Sequence, residues 1–277
     1  MAVGKGKVEI LTLCPPMKHC IKLLRIPHYI KNLLVFIPLV FAMQIHNLQN
    51  LEITAIGFAI FCLVASIVYI INDLKDMEKD KIHPYKKIRP LASGTVNKKQ
   101  AVSIMVFLIL AASMLCIIFI PIIPCFLLIF YMIFNIAYSF GLKNIQLLDV
   151  CILASGYILR IYFGASLIEV EVSVWLYLTV TAGAFYMAFG KRGKNMVLCQ
   201  TLAIVFYSLW SIDAITVERI GSNVFAYTVP IIIIIFLKYG MLLEKAGEGD
   251  PMSIVFKDKA LVGLCILYCI IAGVILW

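Results

Sequence analysis

The chain has 277 residues, of which 63% are hydrophobic and only 14% are charged. In soluble domains roughly half of the residues are hydrophobic and roughly a quarter are charged, so the composition excludes a water-soluble globule. It also excludes a disordered chain, which is poor in apolar residues. We therefore predict a polytopic membrane protein. The formal net charge of +9 then indicates basic cytoplasmic loops rather than a nucleic-acid partner.

Apolar windows of about 20 residues predict an all-α fold with nine transmembrane helices. The first helix follows a basic stretch with Lys18, Lys22 and Arg25, which we expect to lie along the membrane surface. We treat residues 1–277 as a single domain, in which residues 1–27 form a cytoplasmic or interfacial N-terminal segment. In chain order the predicted helices cover residues 28–45, 52–71, 100–120, 122–142, 147–167, 173–190, 197–213, 223–243 and 258–277.

Nine helices place the two termini on opposite sides of the membrane. Only one base, Arg219, and five acidic residues occupy one set of connections, at residues 46–52, 121–124, 168–172 and 212–222. The N-terminal segment and the other connections carry nearly all the Lys and Arg. The positive-inside rule therefore predicts a cytoplasmic N-terminus and an external C-terminus in the inner (plasma) membrane. The long, charged segment 73–99 makes the cytoplasmic face the expected working face.

An acidic cluster follows the second predicted helix. If that helix continues, steps of three and four residues place Asp73, Asp76 and Asp80 on one face, next to Asn72. Carboxylates stacked in this way repel one another unless a cation lies between them. Mg²⁺ prefers hard oxygen ligands, and it completes its shell with water and substrate phosphates. The alternative is a solvated loop of alternating charges.

Basic residues surround this cluster. Lys86, Lys87 and Arg89 lie between Pro84 and Pro90, whose rings restrict the backbone. Beside a metal site such bases form a phosphate cradle, whereas a single juxtamembrane Lys more often contacts anionic lipid. Other predicted cytoplasmic helix ends supply further polar residues, namely Lys31, Asn32, Lys143, Asp149, Lys191 and Arg192.

Arg160 differs from these bases because it lies deep within the fifth apolar segment. A charge at that depth is costly, so we expect it to face the bundle interior with a partner. An ion pair with Asp149 or with an acidic turn residue is the structural alternative to phosphate binding. A metal site and several bases at one face of an apolar bundle fit a reaction between a water-soluble phosphorylated compound and a lipid.

The pattern Asn72-Asp73-x-x-Asp76-x-x-x-Asp80 resembles the first signature of the UbiA superfamily of intramembrane prenyltransferases. The resemblance implies a ring of helices around a central cavity and an Asp motif that holds Mg²⁺ on a diphosphate. In that family a second Asp-rich motif follows the sixth helix. Here the chain reads Gly190-Lys191-Arg192-Gly193-Lys194, without a carboxylate.

Longer strings resemble one branch of this superfamily, the decaprenyl-phosphate phosphoribosyltransferases. They are Ile26-Pro27-His28-Tyr29-Ile30-Lys31-Asn32, the run from Asn72 through Pro84 to Gly94, Tyr138-Ser139-Phe140-Gly141-Leu142-Lys143, Tyr157-Ile158-Leu159-Arg160 and Phe189-Gly190-Lys191-Arg192. The resemblance implies transfer of 5-phosphoribose from phosphoribosyl diphosphate (PRPP) to a polyprenyl phosphate, with release of diphosphate.

The same resemblance implies roles for the residues singled out above. Asp73 and Asp76 would be catalytic, and with Asn72 and Asp80 they would hold Mg²⁺. Lys86, Lys87 and Arg89 would bind the phosphates of the soluble donor. Six further residues would bind either the ribose 5-phosphate or the lipid phosphate, and the resemblance does not assign them to one or the other. They are Lys31, Asn32, Lys143, Arg160, Lys191 and Arg192.

Two other functions compete with this interpretation. A prenyltransferase that moves a prenyl group from its diphosphate to an aromatic acceptor needs a second metal-binding motif. A transporter or lipid flippase would distribute polar residues along both halves of the bundle, whereas here the charges crowd one face. The other partners considered are membrane lipids and a second copy of the chain in a homo-oligomer.

Overall fold

The computed structural model describes residues 17–192, 197–246 and 251–276, and within these ranges it contains helices and no strand. The predicted all-α fold is therefore confirmed. The first 16 residues of the predicted N-terminal segment lie outside the described residues. The α-helices are α1 (Met17–Leu24), α2 (Ile37–Phe41), α3 (Leu48–Ile82), α4 (Lys98–Phe119), α5 (Ile122–Ser139), α6 (Gln146–Leu167), α7 (Val174–Gly190), α8 (Val197–Ser211), α9 (Ala214–Ile220), α10 (Val229–Ala246), α11 (Pro251–Lys257) and α12 (Lys259–Leu276).

Every predicted transmembrane segment overlaps helical chain in the described residues. In the described ranges, six helices are long and apolar enough to cross a membrane, and the number rises to eight if each of two bent pairs is one span. The bent pairs are Lys18–Leu24 with Ile26–Phe41 and Val197–Ser211 with Ala214–Ile220. The protein is thus a multi-pass membrane protein, and the count of nine spans stays a prediction.

Helix α3 is much longer than the predicted segment 52–71. The Asn47 side chain caps its start by accepting from the backbone N–H groups of Gln49 and Asn50. Its 35 residues extend over about 50 Å at about 1.5 Å per residue, whereas the hydrocarbon core of a bilayer is roughly 30 Å thick. The last three turns therefore project beyond the apolar part, and they carry the acidic cluster.

The first predicted segment, 28–45, differs most from expectation. It begins as a 3₁₀ helix, Ile26–Phe36, and continues into the short helix α2, which ends at Phe41. Pro27 and Pro38 stand at the starts of these two elements. Because proline has no backbone N–H to donate, both positions suit the first turn of a helix. Arg25 and Met43 have positive φ angles of 54° and 58°, and the chain changes direction at each.

Aromatic side chains form the core between α3, α5 and α6. The ring of Phe61 lies 4.8 Å from that of Tyr131 and 5.4 Å from that of Phe163, measured between centroids. Gly164 allows α6 to approach the 3₁₀ segment, because a Cβ at this position would lie 2.0 Å from the carbonyl oxygen of Val35. This packing joins the 3₁₀ segment to α6, and α6 to the middle of α3.

Candidate functional site

The three carboxylates of α3 lie on one face, as predicted, and each is bound by a base. Asp73 is buried, with 2% of its surface exposed. Its Oδ1 accepts from Arg25 at 2.5 Å and from Arg89 at 3.2 Å. Arg89 also donates to Asp80 Oδ2 at 2.6 Å. Two guanidinium groups, one from the turn after α1 and one from the loop after α3, thus neutralise two buried carboxylates.

Asp76 is bound by Lys143, whose ammonium group lies 2.7 Å from both carboxylate oxygens. Lys143 belongs to the 3₁₀ turn Leu142–Asn144, which joins α5 to α6. Gly141, two residues before Lys143, has a φ of 145°, a conformation that only glycine adopts without strain. The glycine therefore shapes the turn that brings Lys143 to Asp76.

The loop after α3 is compact around Pro90. The carbonyl oxygen of Pro90 accepts from the hydroxyls of Ser93 and Thr95 and from the backbone N–H of Val96. Leu91 and Val96 anchor the loop because their side chains are almost fully buried. These contacts hold Arg89 against the carboxylates. Lys86 and Lys87 lie on the exposed 3₁₀ turn just before it.

A second polar group joins the ends of α5, α6 and α7. Arg192 binds Asp149 with both Nε and Nη2, and its Nε lies 2.6 Å from Asp149 Oδ2. Its Nη2 also donates to the hydroxyl of Tyr138 at 3.4 Å. The neighbouring residue Ser139 donates to Asn72 Oδ1 at 3.1 Å. Helix α5 therefore connects this ion pair to the acidic face of α3.

Arg160 is buried in the bundle interior, as expected, but Asp149 is not its partner. Its Nε donates to Asn32 Oδ1 at 2.8 Å, and its terminal nitrogens donate to the carbonyl of Gly156 and to the hydroxyl of Tyr131. The guanidinium carbon also lies 4.9 Å from the ring centroid of Phe61. Arg160 and Asn32 thus bind each other rather than the acidic cluster.

The structure places most of the predicted site residues in three groups, whereas Lys31 lies on the 3₁₀ segment and Lys86 and Lys87 lie on an exposed turn outside these groups. Asn72, Asp73, Asp76, Asp80, Arg89 and Lys143 come together at the end of α3. Arg160 and Asn32 lie inside the bundle, and Lys191 and Arg192 lie at the end of α7.

Arg25 belongs to the acidic cluster, although the sequence indicated only a surface position for it. Its backbone is left-handed, with φ 54° and ψ 44°, and its guanidinium carbon lies 4.9 Å above the ring centroid of Tyr69. The available sequence signal was its place as the last base before the first apolar segment. The turn that directs it toward Asp73 has no marker such as glycine.

A cavity of about 340 Å³ opens between the 3₁₀ segment and helices α6, α7, α10 and α12. Most of its lining is apolar, and Lys31 is the charged residue among the described residues that line it. The hydroxyl of Tyr186, which also lines the cavity, is buried and has no hydrogen-bond partner in the described part of the chain. The cavity therefore suits an apolar ligand that carries an anionic group.

The residues at the end of α3 have the donor chemistry that Mg²⁺ requires. Asn72, Asp73, Asp76 and Asp80 supply only oxygen donors, and Mg²⁺ takes one or two carboxylates together with water and phosphate. Within the described ranges, no group of three or more His, Cys, Asp or Glu side chains is arranged as a metal site, and Arg25, Arg89 and Lys143 are bonded to the carboxylates. The oxygen atoms of these four side chains suit Mg²⁺. In this conformation the three bases are hydrogen-bonded to the same carboxylate oxygens.

The comparison with protein families identifies the class of this protein. A model described as the UbiA prenyltransferase family matches residues 33–257. Because the match covers most of the chain, the chain belongs to the UbiA family of membrane transferases. The family resemblance carried by the Asn72-Asp73-x-x-Asp76 pattern is thereby confirmed.

Individual relatives narrow the comparison further. The chain is 29% identical to the decaprenyl-phosphate phosphoribosyltransferase of Mycolicibacterium smegmatis, with 87% of each chain covered. It is 27% identical to the protein of that name from Corynebacterium glutamicum, with 92% of this chain and 86% of the relative covered. Among solved structures, a UbiA homologue from Archaeoglobus fulgidus bound to GPP and Mg²⁺ has the same fold, with a TM-score of 0.67, 16% identity and coverage of 93% and 99% of the two chains.

Proposed function

We propose that the protein transfers 5-phosphoribose from PRPP to a polyprenyl phosphate and releases diphosphate. The relatives named decaprenyl-phosphate phosphoribosyltransferase support this proposal. The observation that carries it is the pairing of three carboxylates on α3 with bases from three different segments, Arg25, Arg89 and Lys143. Such a balanced set of charges suits a ligand that is itself both anionic and cationic, as a metal diphosphate is.

Binding of the donor would exchange partners among these charges. The three bases would turn from the carboxylates to the diphosphate, while Asp73, Asp76, Asp80 and Asn72 would hold Mg²⁺. The bound Mg²⁺ would neutralise charge that develops on the leaving diphosphate. Because each charge leaves one partner for another, the exchange strands no buried carboxylate without a counter-charge.

The bases then have separate tasks. Arg89 binds the diphosphate with its planar fork, a geometry that matches phosphate oxygens, and Arg25 and Lys143 approach from the other two segments. Lys86 and Lys87 are exposed on the turn just before Arg89, where they reach the phosphates of the soluble donor. Arg192, which binds Asp149 in this conformation, and Lys191 lie at the end of α7, where they would bind the ribose 5-phosphate after a similar exchange of partners.

The reaction is a substitution at the anomeric carbon of ribose. The bond from that carbon to the diphosphate oxygen breaks and its electron pair leaves with diphosphate. A new bond forms to an oxygen of the polyprenyl phosphate. That oxygen is already an anion at neutral pH, so no general base is needed. Electron donation by the ring oxygen gives the transition state oxocarbenium character, as in other glycosyl transfers, and positioning and charge compensation supply most of the rate.

The apolar cavity is the proposed site of the lipid acceptor. Its volume of about 340 Å³ falls within the range of about 300–1,000 Å³ typical of small-molecule pockets. It would hold the first isoprene units, and the rest of the chain would lie in the bilayer. The protein would lie in the plasma membrane, with its base-rich face toward the cytoplasm, where the water-soluble donor PRPP is available.

Transfer of a prenyl group to an aromatic acceptor is the nearest competing reaction within the family. It calls for a second acidic motif after α7, where this chain reads Gly190-Lys191-Arg192-Gly193-Lys194. Asp149 contacts this stretch, but its carboxylate is already bound by Arg192. An acceptor that brings only a monophosphate requires no second metal at this position, and the sequence has cations there instead.

The test uses the purified full-length protein in lipid nanodiscs. It is incubated with Mg²⁺, PRPP labelled in the ribose and polyprenyl phosphates of several lengths, and label is counted in the organic phase. We expect label to enter the lipid, and to do so only when both Mg²⁺ and a polyprenyl phosphate are present. If no label enters the lipid, but a prenyl diphosphate is consumed with an aromatic acid, the proposal is wrong.

A further inference from the structure

The first membrane segment is a 3₁₀ helix over eleven residues, Ile26–Phe36. Runs of this helix longer than three or four residues are uncommon, and residues three apart lie directly above one another. A 3₁₀ helix therefore has three separate edges. In this segment two of those edges contact different parts of the protein.

One edge, formed by Tyr29, Asn32 and Val35, anchors the segment. Tyr29 shares a 2.7 Å hydrogen bond with Ser66 of α3. Asn32 donates to Cys62 at 3.2 Å and accepts from Arg160 at 2.8 Å. At Val35 the backbone meets α6 so closely that only glycine fits at position 164.

The adjacent edge, formed by Lys31 and Leu34, lines the apolar cavity together with Ile30 of the third edge. The three-residue period separates it from the anchoring edge. In an α-helix, with 3.6 residues per turn, positions 34 and 35 would share the face that contains Lys31. The 3₁₀ geometry therefore lets Lys31 and its neighbour Asn32 serve two different environments.

The anchor at Asn32 is chemically unusual because it contains a buried cation. Arg160 is 5% exposed, and its partners Asn32, Gly156 and Tyr131 are all neutral. A buried charge without an acidic partner is costly, and packing alone could hold two helices together at a lower cost. The guanidinium instead fixes the amide of Asn32, which is the residue next to Lys31 in the chain.

We propose that Lys31 binds the phosphate of the lipid acceptor, and that Arg160 and Asn32 are positioning residues that hold Lys31 at the cavity. This inference rests on the proposed function, and it assigns the basic residues separately to the donor and to the acceptor. Arg25, Arg89 and Lys143, which contact the carboxylates, belong to the donor, and Lys31, which lines the apolar cavity, belongs to the acceptor.

The Lys31 assignment is tested with Lys31→Met, which removes the charge and keeps an unbranched apolar side chain. We expect the KM for polyprenyl phosphate to rise about tenfold or more, the effect of losing a charged hydrogen bond, while the KM for PRPP changes less than about twofold. The matched control is Lys22→Met, which alters an exposed base on α1. An unchanged acceptor KM in Lys31→Met, with normal transfer by the wild type, overturns this inference and leaves the proposed function intact.

The positioning role is tested with Asn32→Ala and Arg160→Lys, alone and combined with Lys31→Met. If both residues act through Lys31, each raises the acceptor KM alone but adds nothing to Lys31→Met, as expected for coupled sites. Effects that add to that of Lys31→Met overturn the positioning role.

A binding measurement keeps the inference testable without turnover. Farnesyl phosphate and farnesol, which share the same apolar chain, are compared by the shift in Tm that each produces. We expect the phosphate to stabilise the wild type more than the alcohol does, and Lys31→Met to remove that difference. A difference that persists in Lys31→Met means that another residue binds the lipid phosphate.

Discussion

Arg89 contacts two carboxylates at once, because its Nη1 lies 3.2 Å from Asp73 Oδ1 and 2.6 Å from Asp80 Oδ2. The two acidic residues are seven positions apart on α3 and are 2% and 3% exposed. Two buried carboxylates so placed would repel each other without a shared cation. Arg89 therefore links the stability of this end of α3 to the phosphate binding that we propose for it.

Removal of Arg89 should reduce both stability and activity. In Arg89→Met, Asp80 loses the cation to which it is hydrogen-bonded, and Asp73 keeps only Arg25. We expect a lower Tm, measured by thermal unfolding in detergent, and a fall in transfer of at least about tenfold. The double variant Arg89→Met/Asp80→Asn should recover part of the Tm but none of the activity. A double variant less stable than Arg89→Met contradicts this explanation.

The carboxylates of α3 should be essential for turnover while the fold tolerates their neutralisation. Asp73→Asn and Asp76→Asn keep the side-chain size and remove the charge proposed to hold Mg²⁺. We expect transfer to fall to background, with helical content by circular dichroism unchanged. Glu78→Gln is the matched control, because Glu78 is exposed on the same stretch of α3 and pairs only locally with Lys81. Near-normal turnover in Asp73→Asn or Asp76→Asn contradicts the metal assignment.

Gly141 should matter through the position of Lys143. Its φ of 145° lies in a region that alanine enters only with strain, so Gly141→Ala should displace the turn that carries Lys143. We expect a rise of about tenfold in the KM for PRPP, as for loss of a charged contact. Gly263→Ala on α12 meets no atom within 4 Å and should leave both KM values unchanged. Equal effects of the two variants would show that the turn has no special role.

Gly164 should be required for the packing of α6 on the 3₁₀ segment. A methyl group there would lie 2.0 Å from the carbonyl oxygen of Val35, and backbone cannot move as easily as a side-chain tip. We expect Gly164→Ala to lower the free energy of unfolding by about 1–3 kcal/mol. Gly273→Ala, with no neighbour within 4 Å, is the control. A Gly164→Ala protein as stable as this control would contradict the described contact.

Removal of divalent metal should abolish transfer reversibly. Chelation with EDTA takes away the cation proposed to bridge the carboxylates and the diphosphate, and added Mg²⁺ should restore turnover. Labelled PRPP bound to the protein, measured by rapid filtration, should fall in parallel. Transfer that continues at its original rate in EDTA would contradict the proposed role of Mg²⁺.

The sequence predicted the acidic face of α3 because helical periodicity is a local property. Continuation of the helix past Ile71 placed Asp73, Asp76 and Asp80 together, and the nearby loop pointed to Arg89. Arg25 was missed because its left-handed backbone leaves no mark in the sequence. The bond between Arg160 and Asn32 joins residues 128 positions apart, and such a tertiary contact cannot be inferred from local spacing. For the same reason local spacing could not decide whether Arg160 pairs with Asp149, which was only the structural alternative to phosphate binding and which binds Arg192.

The 3₁₀ conformation of Ile26–Phe36 was also beyond a periodicity argument. Apolar residues fill most positions of this segment, so its pattern does not distinguish three residues per turn from 3.6. Contacts with α3 and α6 decide between the two. The sequence therefore placed Lys31 and Asn32 together as candidates for phosphate, whereas the structure directs them to different surroundings.

The most direct test of the central claim is mass spectrometry of the lipid recovered after incubation with PRPP, Mg²⁺ and a polyprenyl phosphate. We expect the polyprenyl phosphate to gain one 5-phosphoribosyl group, with one diphosphate released for each lipid converted. The Asp73→Asn protein provides the baseline. An unchanged lipid, whether PRPP is left intact or merely hydrolysed, would contradict the claim that this protein is a polyprenyl-phosphate phosphoribosyltransferase.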